Sequence, residues 1–160
     1  MSIIKSNLNL TETEKAQLKK AGIKLKDLKK FSVEALCEIL NTSKIRASEI
    51  CALNEFQSVP SIGIKFAQDL ISMGYYSLDE LKNENGTDLI DKLEIVTGVW
   101  IDPCVEDQCR LVVHFANNRG SKKNWRDFTA ERKKFRIENG YPKTRPQNAW
   151  HELEKYKKVK

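Results

Sequence analysis

A chain of 160 residues with 28 Lys and Arg against 22 Asp and Glu carries a net charge of +6 and has room for one domain or two very small ones. No apolar run reaches the length of a membrane span, and the polar start Met-Ser-Ile-Ile-Lys-Ser-Asn-Leu lacks the pattern of a signal peptide, so the expected location is cytoplasmic, with no membrane partner. Cys37, Cys51, Cys104 and Cys109 show no short paired spacing and only His114 and His151 could join them, so no metal and no cofactor is expected and the thiols read as free.

In chain order, nearly every segment reads as helix. Thr11 and Glu14 form a capping box that opens a helix running to Gly22. Leu25 and Leu28 mark a short turn of helix, and Ser32 caps the next, with Leu36 and Leu40 on one face. Thr42 or Ser43 starts a helix that ends near Phe56. Val59-Pro60-Ser61-Ile62-Gly63 makes a tight connection to a segment with Phe66, Leu70 and Met73 at helical spacing, stopped by Gly74. Ser77 and Glu80 cap a short helix, and another runs from Thr87 to about Val96. Asp102-Pro103 is an N-cap followed by proline at the first helical position, opening a helix that closes near Asn117. A loop at 120–123 precedes Asn124-Trp125-Arg126-Asp127-Phe128 and a basic helix from Thr129 to Glu138, docked by Phe135 with Ile137 and closed by Asn139-Gly140. A last helix is expected around 147–157.

Leucines repeat across the two halves. Leu18 and Gly22 correspond to Leu70 and Gly74, while Leu25, Leu28, Leu36 and Leu40 correspond to Leu78, Leu81, Leu89 and Leu93 one residue later. The expected fold is therefore all-α, with two degenerate hairpin halves around one core and a basic helical extension. The expected divisions are residues 1–98 for the tandem region, 99–140 for a helical extension and 141–160 for a basic tail.

Charge is unevenly spread. Residues 1–30 carry eight Lys against three acids, residues 31–118 six bases against fourteen acids, and residues 119–160 fourteen bases against five acids. The basic charge thus lies at the two ends, and any affinity for nucleic-acid phosphate must draw on them.

The loop at 59–63 between two helices resembles a helix-hairpin-helix motif, which commonly holds a phosphate against the amino end of its second helix. The first amides of that helix have no internal partner and meet the positive end of the dipole. Ser61 stands where glycine is frequent; it reads as the N-cap, with the amides of Gly63 and Ile64 and the side chain of Lys65 at the loop surface. With Ile-Asp-Pro-Cys-Val-Glu-Asp-Gln-Cys-Arg at 101–110 and Asn-Trp-Arg-Asp-Phe at 124–128, the chain over about residues 45–145 resembles the bacterial pathogenicity locus family, some members of which are labelled mitomycin resistance proteins. That resemblance implies an all-helical, DNA-associated protein, with a link to DNA damage or repair, and no settled reaction.

Three functions compete on the residues themselves. The first is non-enzymatic, sequence-independent DNA binding through Ser61, Gly63, Ile64 and Lys65, with Lys122, Lys123, Arg126, Arg132, Lys133 and Arg136 supplying cations. The second is a protein-interaction module using the acidic hairpin core. The third is a thiol enzyme or redox sensor at Cys104, whose place near a helix start favours thiolate while Glu106 and Asp107 oppose it. Trp100, Trp125, Phe128 and Trp150 either stack on bases, with Arg126 beside Trp125, or pin loops onto the core.

Overall fold

The computed structural model describes residues 7–153, whose regular structure is helical, apart from one isolated bridge between Trp100 and Ala149. The chain divides after Leu78 into two compact units. The helix expected at 87–96 falls in the same unit as the residues that follow it.

The first unit holds α1 (Glu12–Lys20), α2 (Val33–Leu40), α3 (Lys44–Phe56) and α4 (Ile64–Ser72), with a 3-10 turn at Leu25–Lys30. Local sequence fixes the helix starts. The Thr11 hydroxyl accepts from the Glu14 amide and the Glu14 carboxylate accepts from the Thr11 amide, so two orphan donors of α1 are satisfied reciprocally. Ser32 and Ser43 accept from the amides of Ala35 and Arg46 at the starts of α2 and α3. Ridges on α3 pack against α2 and α4, burying Ile50, Leu53 and Phe56. Each such side chain removed from water stabilises the unit by about 1.5–3 kcal/mol. Glu14 is buried as well. Its carboxylate accepts from Arg46 Nε at 2.9 Å and Nη2 at 2.8 Å, tying α1 to α3. Those Arg46 bonds hold the Glu14 carboxyl below the usual range, against the opposing effect of burial.

The second unit holds α5 (Gly86–Thr97), α6 (Pro103–Asn117) and α7 (Thr129–Asn139), with 3-10 turns at Asp79–Leu81, Trp125–Phe128 and Trp150–Glu152. Helices α5 and α6 form its main packed pair. They touch at Gly86, where a Cβ would sit 2.6 Å from Arg110 Cγ and 2.7 Å from Arg110 Cα. Only glycine permits that approach. Asp102 accepts from the Cys104 amide and Pro103 occupies the first helical position, as the sequence indicates. After α7 the chain stops at Gly140, whose φ of +66° suits glycine. It then returns past Trp100, which donates to Asn148 O and accepts from the Trp150 amide, each at 2.8 Å. Of the last helix expected at 147–157, the short turn at Trp150–Glu152 is seen; residues 154–157 lie outside the described ones.

The leucine repeat has a local structural counterpart. After α1, the Ile23 amide donates to Leu18 O and Gly22 to Lys19 O; after α4, Tyr75 donates to Leu70 O and Gly74 to Ile71 O. Both glycines have positive φ. The order helix, 3-10 turn, helix, helix also recurs, α1 to α3 being followed by α4 to α6. One correspondence fails: Leu78 is fully buried, whereas Leu25 is 36% exposed.

Candidate nucleic-acid interface

The connection between α3 and α4 is shaped by the need to bury Val59 and Ile62. Both side chains are inside, and the Ile62 amide donates to Val59 O. To turn between them the chain passes through Ser61 at φ +63°, a conformation that favours glycine. Ser61 is therefore not the N-cap. Gly63 is, with an extended φ of −102°, and it has no side chain to accept from the first amides of α4. Ser61, Gly63 and Lys65 are exposed and Ile64 is half-buried. A Cβ at Gly63 would meet nothing within 4 Å. Its absence is thus not required by internal packing, and it leaves the backbone approachable from solvent.

In the second unit the basic residues divide into two sets. Helix α6 carries Glu106, Asp107 and Arg110 on its inward side, and α7 answers with Thr129, Arg132 and Arg136 at i, i+3 and i+7, a single stripe. Asp107 is fully buried; it accepts from Arg132 Nε at 2.6 Å and from Thr129 Oγ1 at 2.8 Å. Glu106 accepts from Arg136 Nε at 2.9 Å and from Arg110 Nη2 at 3.3 Å. Arg136 also donates to Asp91 at 3.0 Å, and Arg110 to Thr87 at 2.8 Å and Glu131 at 3.1 Å. The Arg132 and Arg136 side chains are 11% and 7% exposed. Burial alone would lower both guanidinium pKa values, but the carboxylates outweigh it and hold them above the ordinary value. At Asp91 burial prevails, and its carboxyl titrates above the usual range. Arg132 and Arg136 are therefore structural cations facing carboxylates. Their charge is met inside the unit.

The sequence reading also expected Ile137 to dock α7. It is 85% exposed, because the docking stripe is charged. A further inward arginine escaped that reading altogether. Arg145 donates to both oxygens of buried Glu94, and Tyr141 lies between the Arg145 and Arg136 guanidinium groups, at 3.7 and 4.2 Å. Its only sequence signal is an arginine between two prolines after the last long helix.

The second set points outward. Lys122, Lys123, Arg126 and Lys133 are exposed, and none forms an ion pair among the described residues. Lys123 Nζ lies 5.6 Å from the Phe128 ring centre and Arg126 lies 5.2 Å from that of Trp125. The turn that carries them is rigidly closed: Asn124 Oδ1 accepts from the Arg126 amide and Asp127 accepts from the Asn124 amide, each at 2.9 Å. Phe128 anchors it in the core, with its ring beside His114.

Cys104 is exposed at the second position of α6. Partial burial, the hydrogen bond with Asp102 and the Asp102 and Asp107 charges together push its thiol above the ordinary value, outweighing the helix dipole that the sequence reading expected to lower it. His114 does not serve it, since its Nε2 is paired with Ser121 Oγ at 2.9 Å. No disulfide joins the four cysteines, and no group of metal-ligating side chains occurs among the described residues. No helix among the described residues is long and apolar enough to cross a membrane.

A family model described as Pathogenicity locus matches residues 49–134, just over half of the chain, from the middle of α3 into α7. No curated protein and no solved structure matches.

Proposed function

The chain belongs to the pathogenicity locus family, and on that premise we propose that it is a non-enzymatic, sequence-independent DNA-binding protein of the cytoplasm. The observation that carries the proposal is the start of α4, which is solvent-exposed and opens at Gly63, a residue with no side chain to accept from its amides. A phosphate oxygen is the natural acceptor for such a helix start, since backbone N–H groups and the helix dipole both favour an anion there. The helix-hairpin-helix reading of residues 44–72 rests on the same feature. Lys65 adds a cation in the first turn, and Lys122, Lys123, Arg126 and Lys133 supply the outward charge of the second unit. Arg132 and Arg136 play no part in this proposal.

Gly63→Asp tests it cleanly. Aspartate is a favoured N-cap and has open space at this position, so the helix keeps its start. Its carboxylate occupies the anion's place. Affinity for duplex DNA at low salt is expected to fall at least fivefold with unchanged thermal stability. A folded Gly63→Asp protein that binds like the parent removes the hairpin from the site. Absence of any DNA binding by the parent at low salt would instead favour a protein-interaction module.

A further inference from the structure

Resting on the DNA-binding reading above, we propose that the turn at 122–128 is a stacking site for an unpaired base, so that the preferred ligand contains single-stranded nucleotides. Two needs define such a site: a π-face held still, and cations nearby for the backbone. Trp125 meets the first. It is half-exposed and begins a turn locked at both ends, by the reciprocal Asn124–Asp127 caps on one side and by buried Phe128 on the other. The backbone that carries the indole is therefore ordered before any ligand arrives. The Arg126 guanidinium, itself exposed, lies 5.2 Å from the indole centre, so a base can stack on the indole or on the guanidinium covering it.

Lys122 and Lys123 meet the second need. Both are exposed and free of carboxylate partners among the described residues. The nearby acid, Asp127, has its carboxylate engaged by the Asn124 amide. The contrast with the remaining tryptophans is informative. The Trp100 backbone donates to Asn148 O and accepts from the Trp150 amide, which ties the chain at 148–150 to the residues before α6, a plain structural duty. Duplex DNA keeps its bases stacked inside and offers phosphate alone, whereas a single strand offers both phosphate and free base faces. The arrangement of Trp125, Arg126, Lys122 and Lys123 suits the second.

The experiment compares oligo(dT) with a duplex of equal length at low salt, using the full chain. The parent is expected to bind the single strand more tightly and to show quenched tryptophan emission only with it. Trp125→Ala should weaken single-strand binding by about 5-fold to 100-fold, the range for loss of one base stack, and leave duplex affinity within twofold. Trp125→Phe should retain most of the affinity and lose most of the quench. This second variant keeps the question open to refutation should Trp125→Ala unfold, as checked by circular dichroism. A folded Trp125→Ala protein that binds oligo(dT) like the parent overturns the proposal, as does a parent that binds both DNAs equally with no quench. In either case duplex binding survives and the broader DNA reading stands. If the parent binds neither DNA, both readings fall together.

Discussion

Two basic regions of the second unit sit within about ten residues of each other and do opposite things. The stripe Arg132 and Arg136 faces inward onto Asp107, Glu106 and Asp91. The turn with Lys122, Lys123 and Arg126 faces water and pairs with no carboxylate among the described residues. Counted along the sequence, both belong to one basic segment. What separates them is whether a neighbouring helix places acids opposite. Helix α6 does so for α7 through two adjacent buried acids, Glu106 and Asp107, and nothing comparable faces the turn. Positive charge in a sequence is thus a pool that the fold spends first on its own carboxylates, and only the remainder is open to a polyanion.

The inward set can be broken directly. Asp107→Ala strips partners from Arg132 and Thr129 and leaves a guanidinium 11% exposed without its carboxylate. Removing one member of such a pair is expected to cost about 3–5 kcal/mol, read from urea unfolding. A double-mutant cycle with Arg132→Met should show strong coupling, since the second change relieves the stranded charge. Gly86→Ala comes next. Its methyl would press on the Arg110 backbone and on the side chain that holds Glu106 and Thr87, and a loss of about 1–3 kcal/mol is expected in the same assay.

The first unit offers a smaller inward pair and a check on pH. The Glu14 carboxyl is held below its usual range by Arg46, so its folded pKa lies under the unfolded one. The stabilisation is present above the unfolded pKa and is lost as pH falls through the folded value. Glu14→Gln should therefore lower the melting temperature at neutral pH and make it less sensitive to acidification below pH 4.5. Asp91 has the opposite sign: burial raises its pKa, so acid relieves its folded-state penalty as pH falls through the folded value. An unaltered pH profile in Glu14→Gln would place the acid sensitivity elsewhere.

Smallest are the changes at exposed positions. Ser61→Gly removes an unfavourable left-handed conformation and should stabilise the first unit by about 1 kcal/mol. Lys122→Gln with Lys123→Gln should shift stability by no more than about 0.5 kcal/mol, because neither side chain has an ion-pair partner to lose. Equal thermal losses from the lysine pair and from Asp107→Ala would erase the distinction between the two regions.

Much of the fold was legible because its signals are local. Thr11 with Glu14, Ser32, and Asp102 with Pro103 name their helix starts through single hydrogen bonds that the sequence specifies on its own. Gly22 and Gly74 name the ends through a backbone conformation few other residues adopt. The orientation of α7 was not legible in the same way. Apolar periodicity pointed to Phe135 and Ile137; Phe135 is half-buried beside Arg110, but Ile137 is exposed and the inward stripe is Thr129, Arg132 and Arg136, recognisable only once Glu106 and Asp107 are seen to face it. The N-cap of α4 was displaced from Ser61 to Gly63 for a related reason. Burial of both Val59 and Ile62 fixes the loop, and that demand arises from the packed unit.

The most direct measurement is the salt dependence of duplex binding by the parent and by two triple variants matched in charge change. In the first, Lys122, Lys123 and Arg126 are each replaced by Gln; in the second, Arg132, Arg136 and Arg145 are each replaced by Met. For the first, the slope of log affinity against log salt should fall by about one unit per lost phosphate contact, with melting temperature unchanged. For the second, stability should suffer, and under conditions where the variant stays folded the slope should match the parent's. A slope that falls for the inward, carboxylate-paired arginines and holds for the exposed turn would contradict the account.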